Sequence, residues 1–156
     1  MKIDIARQPL VPAFMTLFAL AVAAMCAGIP VSDTSGAVRD ALPLLGGQLA
    51  RFQAAYPVWS KFAAGFMLLF TGMCAGRITI RYNLYTVGTC LPIPLYAIVA
   101  CGIATGGNYL AGFAASMLLA LATKNYCRAF CNGYGFDAIF RASLYLGLMP
   151  LVYAPA

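Results

Sequence analysis

The chain has 156 residues, 63 % of them apolar and 9 % charged, with ten Lys and Arg against four Asp and Glu, and no His. A water-soluble domain carries roughly 25 % charged residues, so a mean hydropathy of +0.85 excludes an ordinary soluble globule and calls for a fold whose surface lies largely in lipid. The net charge of +6 does not point to nucleic acid, because no basic stripe with interleaved aromatics is present; the basic residues cluster at the ends of apolar segments, as topology signals do.

The expectation is an all-α protein: a multi-spanning transmembrane bundle of about five spans plus one interfacial amphipathic helix, forming one domain over 1–156. Met1 to Pro9 is a short basic lead with Lys2, Arg7 and Asp4. Leu10 to Ile29 is apolar for 20 residues, longer than the apolar core of a cleaved signal and enough for a first span. Val31 to Gly36 is polar loop. Leu42, Leu45, Leu49, Phe52 and Tyr56 then recur at helical spacing, with Gln48, Arg51 and Gln53 off the apolar face, which predicts a helix over 43–56 lying on the outer membrane surface. Pro57 to Gly76 is the second span. Tyr56 and Trp59 suit the interface, and Lys61 can snorkel outward. Gly72 and Gly76 leave a smooth patch for close helix packing.

Tyr82 to Thr123 holds 42 residues with no charge, bounded by Arg77 and Arg81 on one side and Lys124 and Arg128 on the other. The turn sequence Ala104-Thr105-Gly106-Gly107-Asn108 divides it, so it reads as a helical hairpin with spans at 84–103 and 109–123. Pro92 and Pro94 fall in the first half of the earlier span. Each removes a backbone donor, so a kink or unwound segment is expected there, with Asn83 and Tyr85 close by and Thr86, Thr89 and Cys90 available to satisfy freed carbonyls. Lys124 to Arg141 mixes charges with Tyr126, Phe130, Tyr134 and Phe136, as at a membrane–water boundary, and Asp137 and Arg141 are placed to pair. A last span over 140–156 runs to the end of the sequence with no charged flank, which reads as a chain truncated from a longer one.

With the N-terminus inside, the inner segments carry Lys2, Arg7, Arg77, Arg81, Lys124, Arg128 and Arg141, and the outer ones Arg39, Arg51 and Lys61. That bias puts the N-terminus in the cytoplasm and makes Arg77, Arg81, Lys124, Arg128 and Arg141 cytoplasmic anchors. Four of the six cysteines lie in apolar segments; Cys127 and Cys131 share a helix face, but structural zinc takes four ligands and no second pair is near in sequence. No catalytic residue, metal ligand or cofactor site is predicted. Without His or Glu, the acids reduce to Asp4, Asp33, Asp40 and Asp137, all outside the spans and far apart in sequence.

Arg81-Tyr82-Asn83-Leu84-Tyr85 followed by Leu91-Pro92-Ile93-Pro94-Leu95-Tyr96, with Phe136-Asp137, Gly147 and Val152-Tyr153-Ala154-Pro155 further on, resembles a family of multi-spanning inner-membrane proteins from Bacteroidota whose function is unassigned. The resemblance covers roughly 57–156, and Arg141 follows Phe140 where the family pattern has an Asp. It implies a longer protein of which this chain is the N-terminal part, and it brings no reaction and no catalytic residues. The functional expectation is a non-enzymatic scaffold or assembly subunit of a bacterial inner membrane, whose partners are the bilayer and further membrane helices. A transporter or channel-like half with a proline-broken third helix is one alternative. A fragment of a lipid-handling membrane enzyme is the other.

Overall fold

The computed structural model describes residues 10–26, 44–82, 90, 92–103, 109–131 and 135–153. Among them are six α-helices and no strand: α1 (Leu10–Cys26), α2 (Leu44–Ala55), α3 (Pro57–Arg81), α4 (Pro92–Ile103), α5 (Tyr109–Cys131) and α6 (Phe136–Val152). The protein is therefore all-helical. One described helix, α3, is both long and apolar enough to cross a membrane, with 25 residues and a mean hydropathy of 1.5 over its most apolar window; at 1.5 Å per residue it is ~37 Å long. The other four regions read as spans yield helices that fall short by that measure. α1 and α6 have 17 residues and α4 has 12. α5 has 23, but its charges begin at Lys124.

Prolines set two of the boundaries. Tyr56 alone separates α2 from α3. Ring clash with a following proline pushes a residue out of the helical region, and Tyr56 sits at φ −131°, ψ 73°, with Pro57 in the first turn of α3. Pro92 opens α4 in the same way. Its fixed φ and missing N–H suit a position where no intrahelical partner exists. The Cys90 carbonyl accepts from Ile93 N–H at 3.1 Å just ahead of it. The helices also run on where the sequence suggests connections: α3 continues past Gly76 through Arg81, and α5 continues past Thr123 to Cys131.

α3 is the central element. It packs against α1, α2, α4 and α5, while α5 packs most extensively along α6. The core gathers Ala13, Leu17 and Ala21 of α1, Ala64 and Leu68 of α3, Ile93 and Ala97 of α4, and Tyr109, Leu110 and Phe113 of α5. Close approach to α3 depends on its glycines. A Cβ on Gly72 would lie 2.8 Å from Leu17 Cδ1, and one on Gly76 would run into Ile93 Cδ1 and Cγ1. The small-residue patch thus seats α1 and α4 on one helix, the packing role expected of it.

The contacts fix the sense of the helices. The start of α5 meets the start of α3, through Tyr109 and Ser60, so these two run in the same direction. The start of α4 meets the last turns of α3, through Ile93 and Gly76, so α4 runs against them. Arg77, Arg81, Lys124 and Arg128 consequently fall at one end of the bundle, with Asp137 and Arg141 in the first turns of α6 following there. Arg51 and Lys61 belong to the other end.

Candidate functional site

Two features stand out at the end of the bundle where α2, α3 and α5 meet: a buried polar cluster and, outside it, an aromatic groove. The cluster begins with Ser60, whose side chain is fully buried (0 % exposed). Its hydroxyl donates to the Pro57 carbonyl at 2.8 Å and lies 2.6 Å from Tyr109 Oη. A serine hydroxyl has one proton, so with that proton on Pro57 the Tyr109 hydroxyl is the donor to Ser60 Oγ. Nearby, Gln53 Oε1 accepts from the Leu110 backbone N–H at 3.4 Å. The first N–H groups of a helix have no intrahelical acceptor, and Leu110 is the second residue of α5, so Gln53 covers one such donor from α2. The cluster therefore ties three helices together by polar contacts.

Gln53 is 5 % exposed, where the apolar periodicity of α2 predicts it off the packed face. The reverse holds for the predicted apolar face: Leu45, Phe52 and Tyr56 are exposed, and Leu49 is half-buried against the core. The helix is turned with Gly46 and Gln53 inward. The reason is chemical: the start of α5 needs an acceptor, and Gly46 allows close approach, while the large side chains face outward.

The groove lies on that outward side. It is lined by Phe52, Tyr56, Trp59, Phe62, Ala63 and Phe66 and is an open, shallow groove of about 500 Å³. Phe52 and Tyr56 have ring centroids 5.6 Å apart and Trp59 and Phe62 6.5 Å apart, tilted distances within the favourable range for aromatic pairs. Trp59, Phe62 and Phe66 are 69 %, 56 % and 66 % exposed.

Two further polar features lie deeper. Tyr96 of α4 meets Ser116 of α5 at 3.1 Å, and Ser116 donates to the Phe113 carbonyl, so Tyr96 donates here as Tyr109 does to Ser60. Thr71 Oγ1 on α3 is buried with no hydrogen-bond partner. Of the sequence-predicted site, Pro92 and Pro94 lie in the first turn of α4, half-buried, where proline does not interrupt a helix. Asn83 and Tyr85, with Thr86, Thr89 and the turn 104–108, lie outside the described residues. Arg77, Arg81, Lys124, Arg128 and Arg141 are all exposed. Arg141 grips Asp137 through two of its nitrogens, Nη2 to Oδ2 at 2.9 Å and Nε to Oδ1 at 3.1 Å.

Cys127 and Cys131 sit at the end of α5, half-buried and exposed respectively. Burial first, then the neighbouring Cys131, raises the Cys127 thiol above its ordinary range. No group of three metal-ligating side chains occurs among the described residues. The only carboxylate among them, Asp137, is at the far end from Ser60 and Tyr109, so no described carboxylate stands beside the buried hydroxyls. Sequence reasoning missed the Ser60–Tyr109–Gln53 cluster. Its one signal was a polar side chain in each of three neighbouring segments near a helix start. Comparison with protein-family models, curated proteins and solved structures gave no match.

Proposed function

We propose that the chain is a multi-spanning helical protein of a bacterial inner membrane, N-terminus in the cytoplasm, acting as a non-enzymatic scaffold or assembly subunit that packs with lipid and further membrane helices. The observation that carries this reading is the distribution of residues around α3. Its inward side is small or polar: Ser60, Ala64, Gly65, Thr71, Gly72 and Gly76 are all buried, with Leu68 and Ile78. Its outward side is bulky and apolar: Trp59, Phe62, Phe66, Phe70, Met73 and Ile80 are exposed. Water would favour the opposite arrangement, whereas in lipid small residues drive helix contact and large ones face the acyl chains. The same holds for α1, where Ala13, Leu17 and Ala21 are buried and Val11, Phe14, Met15, Phe18 and Val22 are exposed.

The short helices are accommodated by tilt, local thinning of the bilayer or re-entry, and they lean on α3, which has the full length. The bacterial assignment follows the resemblance at 81–96 and 136–155. The non-enzymatic role is supported by the buried hydroxyls of Ser60 and Tyr109, which are used in joining helices, and by the one described carboxylate, Asp137, being taken up in an exposed ion pair. Extraction of membranes from expressing cells with alkaline carbonate tests the membrane reading. The chain is expected to stay in the pellet and to dissolve only with detergent. Release into the carbonate supernatant overturns it.

A further inference from the structure

We propose that Arg77, Arg81, Lys124 and Arg128 form a binding site for a phospholipid that carries two phosphates, held across the seam between α3 and α5 with its acyl chains along the same two helices. The inference rests on the membrane reading above. Ser60 and Tyr109 meet at 2.6 Å and mark the line along which α3 and α5, running in the same sense, touch. Ile78 and Cys127 stand on those two lines about five turns further on. They are buried and half-buried, so the seam continues to that end. At ~100° per residue, Arg77 and Arg81 are rotated ~100° and ~60° from the line on α3 in one sense, and Lys124 and Arg128 ~60° and ~100° from the line on α5 in the opposite sense. On parallel helices that face each other, such opposite rotations turn to the same side. All four residues are exposed. Their levels alternate between the helices in the order Lys124, Arg77, Arg128, Arg81, within ~9 Å along the axis.

Charge selects the class of ligand. None of the four forms an ion pair among the described residues, whose one carboxylate, Asp137, is held by Arg141. Cations gathered this closely repel one another, and an anion with more than one charge relieves the repulsion. Two cations from each helix suit one phosphate on each side of the seam, and the guanidinium fork matches phosphate geometry. The rest of the ligand follows from what adjoins the cations. On α3, Phe66, Phe70, Met73, Arg77 and Arg81 form one exposed row at spacings of four and three. On α5, Met117, Leu121, Lys124 and Arg128 form a similar row, half-buried and then exposed. Both rows pass from apolar to basic at the same level, which is the order of acyl chain and phosphate in a lipid. A soluble polyanion leaves the apolar part of the rows unused. Basic pockets between membrane helices are a recurring site for headgroups of this kind.

The full chain is solubilised in nonionic detergent and titrated with cardiolipin or, at the same phosphate concentration, phosphatidylglycerol, with lipid adducts read by native mass spectrometry. Half-occupancy by cardiolipin is expected at a roughly fivefold lower phosphate concentration, the scale of one further cation engaged. Arg77→Gln/Arg81→Gln and Lys124→Gln/Arg128→Gln are each expected to weaken cardiolipin binding on the order of 25-fold. Arg51→Gln/Lys61→Gln removes the same charge from the opposite end and is expected to leave binding unchanged, while Arg77→Lys/Arg81→Lys is expected to retain it. Equal half-occupancy by the two lipids at matched phosphate overturns the proposal, because charge alone then accounts for binding. An equal loss in the Arg51/Lys61 variant overturns it for the same reason. Displacement of cardiolipin by pyrophosphate at matched phosphate overturns it too, since the acyl chains then contribute nothing. Each of these results leaves the membrane reading standing, which the carbonate extraction decides separately.

Discussion

Among the described residues, Ser60 and Tyr109 form the buried hydrogen-bonded side-chain pair that bridges α3 and α5, and the two partners are not equivalent. Ser60 keeps its bond to the Pro57 carbonyl whatever happens to the tyrosine, whereas the hydroxyl of Tyr109, 7 % exposed, has no other hydrogen-bond partner among the described residues. Interhelical hydrogen bonds in membranes average ~0.6 kcal/mol, and that is the loss expected for Tyr109→Phe. Ser60→Ala leaves a buried hydroxyl donor unsatisfied, which costs ~1–3 kcal/mol. Unfolding of the detergent-solubilised chain is expected to rank Ser60→Ala above Tyr109→Phe, and the double variant to be less damaged than the sum. An additive double variant would mean that the two hydroxyls do not interact. The glycines give a second test at this scale. Gly76→Ala drives a methyl into Ile93, a stiff β-branched side chain, and overpacking of this kind costs ~1–3 kcal/mol. At Gly147 a Cβ meets nothing within 4 Å, so Gly147→Ala is expected to gain up to ~1 kcal/mol from helix propensity. Equal effects at the two positions in the same unfolding assay would contradict the close approach of α3 and α4.

At the scale of the element, the prolines decide where helices begin. Pro92 and Pro94 occupy the first turn of α4, where the backbone N–H that proline lacks would have no intrahelical acceptor. Replacing both by Ala is therefore expected to change stability by less than ~1 kcal/mol, in contrast to the ~3 kcal/mol of an interior proline. Retained stability together with an unchanged cellular phenotype also removes the transport reading, which needs the proline break to line a path. This is also where sequence legibility can be judged. The start of α3 at Pro57, of α5 at Tyr109, and the existence of α2 followed from local rules: a proline clash, an apolar run after a turn sequence, an apolar spacing of three and four. The Gly72/Gly76 packing face followed from small residues four apart. The orientation of α2 did not, because the side that turns inward was chosen by the unsatisfied amide of Leu110, 57 residues further on. The Ser60–Tyr109 contact was hidden for the same reason: a pairing across 49 residues leaves no periodicity. The extension of α3 to Arg81 and α5 to Cys131 was missed because charges mark where lipid ends, and a helix has no need to end there.

For the whole molecule, the decisive quantity is the separation of charge between its two ends. With α3 and α5 running in the same sense, Arg77, Arg81, Lys124, Arg128 and Arg141 gather at one end and Arg51 and Lys61 at the other, five basic residues against two. On the membrane reading proposed above, retention of positive charge on the cytoplasmic side predicts that the Arg77 end faces the cytoplasm, that the chain reaches α3 from outside with α2 on the outer surface, and that α1 enters from the inside. A phosphatase reporter fused after Gly107, between α4 and α5, is expected to be active, since that enzyme matures only outside the cytoplasm. A fluorescent protein inserted after Cys131, between α5 and α6, is expected to fluoresce. Exchanging Arg77, Arg81, Lys124 and Arg128 for Gln removes four of the five residues that set the bias and is expected to give mixed activity at both sites. An inactive phosphatase at Gly107 in the unmodified chain would invert the bundle and would put the end that carries Arg51 and Lys61 on the cytoplasmic side. A reporter pattern unaffected by the four substitutions would show that orientation is set elsewhere than in these helix ends.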